Sequence, residues 1–465
     1  MSQKPLSATS ALPLRWEHAP VRALLALTAP ITLSLLSFAC MGLVDTFLIG
    51  RLGAAQLAGV GLGIVVTNFL MGFGFGLLRG VKVLLAQARG AARDSAGDAS
   101  LVSYAGAGLL VALKLGVVML VLGECAAYLA PRFTASVEAG QAAQRYIAVR
   151  SLGMPIILAY VALREARYGF GETRSPLVSA LVGNLVHALL DYLALYVLGL
   201  GALGAALANV LAFTVQVGLL ARAQRELGFG LDLGARAAQW EVVRAGAFTG
   251  MQFALEIGSL TALSLLLAGV SDHQMAAHQI TVQLSAFCFL PALAIAESAT
   301  VLAAEAVGSG RLDAVYQVSR AARRVALSYA GFCACILTLG GGLIAELFSD
   351  DPLLQSILRG LLVAASAHQL FESLAASGHG LLRGVGATRL SALCALGCAW
   401  LCTPWLGYVL VRGYELGAVG AWGARTFEMV VASLLVWRYI ERGGWEAGCR
   451  ARRARRYSST PVAVS

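Results

Sequence analysis

Long apolar stretches alternate with short polar connections along almost the whole chain. Each stretch approaches or exceeds the roughly 20 residues that an α-helix needs to cross the hydrocarbon core of a bilayer. About twelve such stretches can be distinguished, and they predict as many transmembrane helices. The predicted spans cover residues 24–50, 57–78, 101–122, 146–168, 177–198, 202–220, 245–267, 276–303, 325–344, 357–382, 390–411 and 417–437.

The overall composition agrees with this pattern. Of the 465 residues, 58% are hydrophobic and 13% are charged, and the mean hydropathy is +0.75, whereas a soluble domain carries about 25% charged residues. The chain is therefore predicted to be an all-α polytopic membrane protein with the lipid bilayer as a partner. The first 20 residues are polar and lack the apolar core of a signal peptide, so we expect no cleaved leader.

Arginine and lysine are distributed unevenly between the two sets of connections. If the N-terminus is inside, the inner connections carry most of them, and the outer ones carry little besides Arg51, Arg132, Arg145 and Arg412. Cytoplasmic loops of membrane proteins are enriched in these residues. Both termini are therefore predicted to be cytoplasmic, in a bacterial inner membrane. The net charge of +10 is explained by basic loops that orient the chain in the membrane, and no nucleic-acid partner is expected.

The two halves of the sequence repeat each other at offsets of 215, 216 and 218 residues. The echoes pair RYGFGETRSP with LRGVGATRLS, LGALGAALAN with LGAVGAWGAR, and VLLAQARGAARD with VLAAEAVGSGRL. Three echoes in the same order indicate a duplication. Six spans per half make both halves enter the membrane in the same direction, so the substrate path is expected between them.

We therefore predict two six-helix lobes related by an axis along the membrane normal. The N-lobe is expected at 23–222 and the C-lobe at 243–439, joined by a cytoplasmic linker at 223–242. A cytoplasmic tail at 1–22 precedes them, and a basic cytoplasmic tail at 440–465 follows.

Several polar side chains interrupt the apolar stretches of the first half. Asp45 lies deep in the first span, and Asn184, His187 and Asp191 share one face of the fifth. Ionisable groups in lipid are costly and usually mark ion pathways or proton relays. With Asn209 of the sixth span they form a candidate coupling-ion or proton site. Two alternatives stay open: Asp45 extends to the outer interface, or the cluster only holds helices together.

Pro30 lies fifteen residues before Asp45 in the same span. A proline inside a helix removes a backbone hydrogen bond and can kink the helix. Pro30 is therefore a candidate hinge for the segment that carries Asp45.

The second half carries its own buried acids, and both halves carry unusual bases. The acids are Glu256, Glu297 and Glu372. At the 218-residue offset the partner of Glu297 is Arg79, which suggests an ion pair between the lobes. Arg79, Lys82 and Lys114 are candidate cavity bases. For Arg79 and Lys82 the alternative is extension to the inner interface, whereas Lys114 lies nearer mid-span and could neutralise a buried carboxylate.

Motifs for nucleotide use and for hydrolysis are missing from the sequence. The lysines are Lys4, Lys82 and Lys114, and none is followed by Ser or Thr, which excludes a P-loop. Neither HExxH nor GxSxG occurs. We therefore expect no enzyme and no cofactor, and we expect an H⁺ or Na⁺ gradient to supply the energy through the buried acids.

A family resemblance extends from about residue 29 to residue 437. The segments PITLSLLSFACMGLVDTFLIGRLGAAQLAGVGLG, GNLVHALLDYLAL, FLPALAIAESATVLAAEAVGSG and GHGLLRGVGATR resemble the multidrug and toxic compound extrusion (MATE) transporters, in their NorM-like or DinF-like branches. The resemblance implies alternating access between two lobes around a central cavity. It also implies H⁺- or Na⁺-coupled export of organic, cationic drugs or metabolites by a monomer.

Individual residues carry the resemblance in the first lobe. Asp45 and Asp191 match the acids of the family's first and fifth helices, and Pro30 matches the proline at which the first helix bends. His187 stands where the family usually has Asn, and Asn209 stands where Thr is common. The histidine suits proton coupling better than sodium coupling.

In the second lobe, Glu256 matches the seventh-helix Glu of the NorM branch, and Glu372 stands where that branch has Asp. Arg79 and Lys82 are unusual for the family's second helix. They keep an alternative function open, a flippase for lipids or lipid-linked oligosaccharides in the same superfamily, since such proteins tend to carry basic cavities.

Overall fold

The computed structural model describes residues 14–92, 99–134, 136–226, 236–268 and 270–451. These residues are nearly all helical. The α-helices are α1 (Pro20–Gly50), α2 (Ala54–Ala92), α3 (Ala99–Leu129), α4 (Val137–Leu152), α5 (Met154–Gly169), α6 (Arg174–Tyr192), α7 (Gly201–Glu226), α8 (Arg236–Ala268), α9 (Asp272–Gly308), α10 (Leu312–Leu339), α11 (Gly341–Phe348), α12 (Pro352–Gly384), α13 (Thr388–Tyr408) and α14 (Gly417–Glu441). A 3₁₀ turn at Ala130–Phe133 follows α3, and π-helical turns at Leu193–Val197 and Val409–Gly413 follow α6 and α13.

The helices account for the predicted membrane crossings. Within the described ranges, nine helices are long and apolar enough to span a bilayer, and α4 with α5 makes a tenth crossing. Helices α8 and α12 have 33 residues each and are also long enough to cross, although they carry more polar side chains. The predicted all-α fold with 12 transmembrane passes is confirmed.

The fourth crossing is broken, whereas the sequence pattern predicts one span at 146–168. Helix α4 begins earlier, at Val137, where Ser136 Oγ accepts a hydrogen bond from the Ala139 backbone N–H. The chain then bends by 50° at Gly153 before α5. Pro155 lies in the first turn of α5, where its missing N–H costs no helical hydrogen bond, so the break falls just before it.

Helices and packed segments occupy parts of the predicted tails and of the predicted linker. Helix α7 runs to Glu226 and α8 begins at Arg236; residues 227–235 lie outside the described ranges. Leu14 and Trp445, from the two predicted tails, are buried in one apolar cluster on the C-lobe. Residues 1–13 and 452–465 lie outside the described ranges.

Backbone geometry repeats between the two halves at the offsets that the sequence echoes show. The π-helical turns Leu193–Val197 and Val409–Gly413 are 216 residues apart. Gly171 and Gly386 both have positive φ, at 72° and 77°. Gly199 and Glu415 do as well, at 64° and 55°, although this conformation is costly for a residue with a side chain. These shared distortions support the duplication.

The two lobes touch along the halves of their helices that are predicted to face the cytoplasm. A Cβ atom on Gly246 of α8 would lie 1.7 Å from the carbonyl oxygen of Leu77 on α2, and one on Gly90 would lie 2.2 Å from the carbonyl oxygen of Glu305 on α9. Only glycine permits backbones to approach this closely. The path between the lobes is therefore closed at this end.

Candidate functional site

Three predicted site residues come together inside the N-lobe. Asp45 projects from α1, and His187 and Asp191 lie one turn apart on α6. His187 Nδ1 is 3.9 Å from Asp45 Oδ1, and His187 Nε2 is 3.5 Å from Asp191 Oδ2. One ligand atom from each residue lies within 4.8 Å of the others. The imidazole therefore lies close to two carboxylates that are far apart in sequence and close to each other.

The carboxylates of this cluster lack the hydrogen bonds that buried acids normally make. Asp191 is fully buried (0% exposed), and neither of its oxygens has a hydrogen-bond partner among the described residues. Asp45 Oδ1 and Asn209 Oδ1 lack one as well. An isolated buried carboxylate is very unfavourable, so such a group is expected to take up a proton or a cation. The site is thus chemically incomplete without a small positive partner.

His187 determines how protons can be arranged in the cluster. A neutral imidazole donates from one nitrogen and accepts at the other. If it donates to one carboxylate, its second nitrogen can accept from the other acid only when that acid is protonated. Sodium and other hard cations prefer oxygen ligands, whereas one of the three ligand atoms gathered here is an imidazole nitrogen. The arrangement suits proton exchange.

The two predicted asparagines have different roles. Asn184 donates from Nδ2 to Ser37 Oγ at 2.5 Å. This hydrogen bond joins α6 to α1 about two turns from Asp45 and Asp191. Asn209 presents a buried oxygen without a hydrogen-bond partner in the described part of the chain. Asn184 therefore holds the helices, as one of the sequence alternatives proposes, while Asn209 remains free to accept.

Arg150 and Tyr146 of α4 adjoin the same site, and the sequence analysis missed both. Arg150 is buried at 8% exposure, contacts the Tyr146 hydroxyl, and interacts electrostatically with His187. Both lie in the short stretch YIAVR, in which an arginine within an apolar block could have indicated a buried polar site. The apolar pattern predicts the start of the fourth span about nine residues too late, so that Arg150 lies near the predicted end of the span rather than inside it.

Pro30 lies inside α1, which continues on both sides of it. The carbonyl of Pro30 accepts a hydrogen bond from Ser34 Oγ at 2.9 Å. Helix α1 is therefore a single helix that lacks one backbone hydrogen bond at Pro30, fifteen residues before Asp45. The hinge role stays a prediction.

A cavity of about 340 Å³ occupies the C-lobe and reaches the lobe interface at Arg79. Its walls carry two of the predicted acids, Glu256 and Glu372. Gln252 Nε2 donates to Glu256 Oε1 at 2.9 Å, and His368 Nε2 is 3.5 Å from Glu372 Oε1. The volume falls within the range of small-molecule sites.

Glu428 of α14 is a further acid in this cavity, and the sequence analysis did not single it out. It is 3% exposed, accepts a hydrogen bond from Thr403 Oγ1, and lies 3.6 Å from Arg425 Nη1. A glutamate and an arginine inside an apolar span of α14 could have identified it. Its proximity to Thr403 depends on helix packing, which the sequence does not show.

Glu297, the third predicted acid of the second half, does not share a site with Glu256. It lies at the lobe interface, where the predicted ion pair with Arg79 is present at 2.8 Å between Arg79 Nη1 and Glu297 Oε1. Lys82 Nζ also contacts Glu297, and it lies 2.8 Å from Glu165 Oε2. We call this set, completed by Arg164 and Arg383, the inter-lobe ion network.

The two predicted lysine positions need correction. Lys82 is 1% exposed and does not extend to the interface, because two carboxylates from different lobes hold its ammonium inside. Among the residues that the structure describes, Lys114 contacts no buried carboxylate. Its Nζ donates to Gln239 Oε1 at 2.8 Å on an exposed face near the start of α8, so the long side chain serves a polar contact outside the cavity.

The duplicated six-helix lobes, the buried acids and the interior cavity together define a polytopic membrane transporter. The MatE family model matches residues 30–193 and 249–409. The chain therefore belongs to the MATE family of transporters.

Relatives and solved structures agree with this assignment. The chain is 32% identical to a probable multidrug resistance protein NorM from Deinococcus radiodurans, over 91% of this chain and 96% of that protein. It is 26% identical to the multidrug resistance protein MdtK of Yersinia pestis, over 86% and 90%.

Two solved structures share the fold. The first is the eukaryotic MATE transporter AtDTX14, with a TM-score of 0.84, 16% identity, and coverage of 94% of this chain and 99% of that one. The second is a Pyrococcus furiosus transporter of the MOP superfamily, described as having a binding pocket of reversed polarity. It has a TM-score of 0.83, 20% identity, and coverage of 92% and 97%.

Proposed function

We propose that the protein is a proton-coupled antiporter that exports small organic molecules by alternating access of its two lobes. The observation that carries this proposal is the N-lobe cluster, in which a fully buried Asp191 has two oxygens without hydrogen-bond partners in the described structure. Such a group favours binding of a proton from one side and its release on the other once the surroundings change.

Proton coupling is favoured over sodium coupling by His187. Its two nitrogens face Asp45 and Asp191, so protons can be redistributed within the cluster without large movements. A sodium site would need additional oxygen ligands in the same space.

Alternating access is supported by how the lobes are held together. The inter-lobe ion network and the glycine contacts hold the lobes together through non-covalent contacts at the end predicted to be cytoplasmic. Rocking the lobes apart would separate Lys82 from Glu297 and open that end. Proton binding near α1, with Pro30 as hinge, is a means of biasing this equilibrium.

The C-lobe cavity is the proposed substrate site, and the transported class is small organic molecules. The membrane location is expected to be a bacterial inner membrane with both termini in the cytoplasm, and the functional unit is expected to be the monomer. The relatives NorM and MdtK are described as multidrug resistance proteins, which supports export as the direction.

The test is transport in proteoliposomes with imposed gradients. Efflux of a fluorescent organic cation should follow a pH gradient, persist without Na⁺ and collapse with a protonophore. Asp45→Asn should remove the response to the pH gradient while the purified protein still binds the dye. Transport that ignores both gradients would refute the antiporter proposal, and a strict Na⁺ requirement would refute the choice of ion.

A further inference from the structure

We propose that an anionic phospholipid binds between α1 and α10 at the end of the molecule predicted to be cytoplasmic, with its phosphate held by Arg22 and Arg324. The site lies outside both the N-lobe cluster and the C-lobe cavity, and it does not depend on the transport function proposed above. Because α1 belongs to the N-lobe and α10 to the C-lobe, a lipid bound there joins the two lobes where the path between them is closed.

An open groove lies on the surface where α1 meets α10. Arg22 and Leu25 of α1 line it together with Arg324 of α10. Leu24, on the neighbouring face of α1, is buried in the same apolar cluster as Ala322 of α10, so the two helices pack directly against each other here. Arg22 lies two residues before the predicted first span and Arg324 one residue before the predicted ninth. Both side chains are therefore at the level of the lipid headgroups.

The two arginines carry positive charge that no acidic side chain neutralises within the described part of the chain. Arg22 and Arg324 are exposed, and neither forms an ion pair or a side-chain hydrogen bond with another described residue. Glu17 and Asp313, the acids nearest to them in sequence, both contact Arg311. A guanidinium binds phosphate through two parallel N–H groups. The groove thus offers two sets of donors to one anionic group.

The surface beside the arginines favours a phospholipid over a free phosphate ion. Leu25 follows Arg22 by three residues and Leu327 follows Arg324 by three, and these leucines are 46% and 43% exposed. Residues three apart share a face of a helix, and both helices run from the inner end toward the membrane centre. Each leucine therefore lies about one turn deeper in the bilayer than its arginine, where an acyl chain would contact it. Basic pockets between transmembrane helices on the cytoplasmic side bind anionic headgroups in this way.

A lipid in this groove should stabilise the closed inner end. Arg22 and Arg324 come from different lobes, so one phosphate can contact both only while α1 and α10 are packed together. A ligand that binds one of two conformations more tightly shifts the population toward that conformation. The lipid is therefore expected to favour the conformation in which the inner end is closed.

The first experiment compares phosphatidylglycerol with phosphatidylcholine, both with palmitoyl and oleoyl chains. Binding of each lipid to the purified full-length protein in detergent is measured by native mass spectrometry. The wild type is expected to bind phosphatidylglycerol at least about tenfold more tightly, since two arginines act on the anionic headgroup. Equal affinity for the two lipids would overturn the proposal. Glycerol 3-phosphate, which lacks acyl chains, should not displace the lipid; displacement at comparable concentrations would show a free-phosphate site instead.

Variants then locate the headgroup. Arg22→Gln and Arg324→Gln should each weaken binding of phosphatidylglycerol about fivefold and leave phosphatidylcholine within about twofold. Arg324→Lys, which keeps the charge, should retain part of the affinity. Unfolding temperatures without lipid should stay at the wild-type value, because neither arginine contacts another described side chain. Equal weakening of both lipids would refute the phosphate contact.

Arg174→Gln is the matched control. Arg174 is also exposed, forms no ion pair within the described ranges, and begins α6 at the inner end, but it lies outside the groove. Its replacement should leave the affinity for phosphatidylglycerol within about twofold. If it weakens binding as much as Arg22→Gln does, the basic surface as a whole attracts the lipid, and the proposed site fails.

A second measurement tests whether the lipid joins the lobes. Distances between spin labels on the inner ends of the two lobes are compared in phosphatidylcholine bilayers with and without phosphatidylglycerol, in the absence of any ion gradient. The wild type should shift toward the shorter distance when phosphatidylglycerol is present, whereas the Arg22→Gln, Arg324→Gln double variant should not respond. Identical distances in the wild type with and without phosphatidylglycerol would refute the joining of the lobes. Neither measurement involves transport, so failure here leaves the antiporter proposal untouched.

Discussion

Lys82 of α2 and Glu297 of α9 are in direct contact, although they belong to different lobes. Lys82 also contacts Glu165 within its own lobe, so its ammonium group connects a carboxylate from each half of the duplicated chain. Both side chains are almost completely buried. Separation of the lobes must therefore expose or rearrange a buried ion pair, which makes this contact a candidate lock on the closed end.

Glu297→Gln should weaken the closed end. Removal of one partner from a buried ion pair costs about 3–5 kcal/mol, and Lys82 and Arg79 would lose their shared carboxylate. Hydrogen exchange at the inner halves of α2 and α8 should become faster. The control is Glu346→Gln, which breaks the exposed pair with Arg359 and should change nothing there. Unchanged exchange in Glu297→Gln would remove this contact from the gating mechanism.

The Arg79–Glu297 pair should show coupling in a double-mutant cycle. Arg79→Gln and Glu297→Gln remove the same contact, so their combined effect on unfolding should differ from the sum by about 0.5–3 kcal/mol. Exchanging the two charges should rescue poorly, because an arginine at position 297 would face Lys82 and Arg383. Additive single effects would show that the contact is energetically unimportant.

Gly246→Ala should prevent the lobes from closing fully at the inner end. Its Cβ would lie 1.7 Å from the carbonyl oxygen of Leu77, a backbone atom that cannot move alone. We expect a lower unfolding temperature and an increased population of separated lobes, measured by the distance between spin labels on the two lobes. Gly331→Ala is the matched control, since nothing lies within 4 Å of its added methyl group. Identical distance distributions for both variants would refute the close-packing argument.

His187→Asn should change the ion that drives transport. It replaces the imidazole beside Asp45 and Asp191 with an amide whose oxygen can coordinate sodium. Efflux from proteoliposomes is expected to become dependent on external Na⁺ and less responsive to a pH gradient. His187→Gln, which is longer, provides a comparison. If His187→Asn retains wild-type dependence on pH and ignores Na⁺, the imidazole does not select the ion.

Asp191→Asn should separate substrate binding from coupling. The amide keeps the size of the side chain but cannot exchange a proton, so gradient-driven efflux should fall to the level of empty vesicles. Dye binding in detergent should stay normal, because the C-lobe cavity contains no part of α6. Normal gradient-driven efflux in this variant would eliminate Asp191 as the coupling group.

Apolar spans and repeated motifs were sufficient to predict the crossings and the duplication. Hydrogen bonds within each helix satisfy the backbone in lipid, so length and polarity of a stretch largely decide whether it spans. The bend at Gly153 could not be predicted from the sequence, because a glycine two residues before a proline is compatible with both a bend and a straight helix. The burial of Leu14 and Trp445 against the C-lobe could not be predicted either, because both are isolated apolar residues within polar stretches of the sequence.

The candidate sites were predictable only in part. Asp45, His187 and Asp191 stand out as polar residues in apolar helices, and the Arg79–Glu297 pair followed from the repeat offset. The rest of the inter-lobe ion network could not be predicted. Glu297 also contacts Lys82 and Arg383, which lie on helices whose relative rotation the sequence does not specify. The same reason separates Glu297 from Glu256 and leaves Lys114 outside the cavity.

The π-helical turns at Leu193–Val197 and Val409–Gly413 show that the halves kept their backbone after duplication, yet their polar side chains did not stay paired. At the same 216-residue offset, Asp191 is matched by Gly407 and Glu428 by Ala212. Each of these acids is thus present in one half and absent at the matching position of the other, which agrees with the proposal that the first half exchanges protons and the second binds cargo. Spontaneous mutants selected for altered cargo should therefore map to the second half, and mutants that leak protons should map to the first.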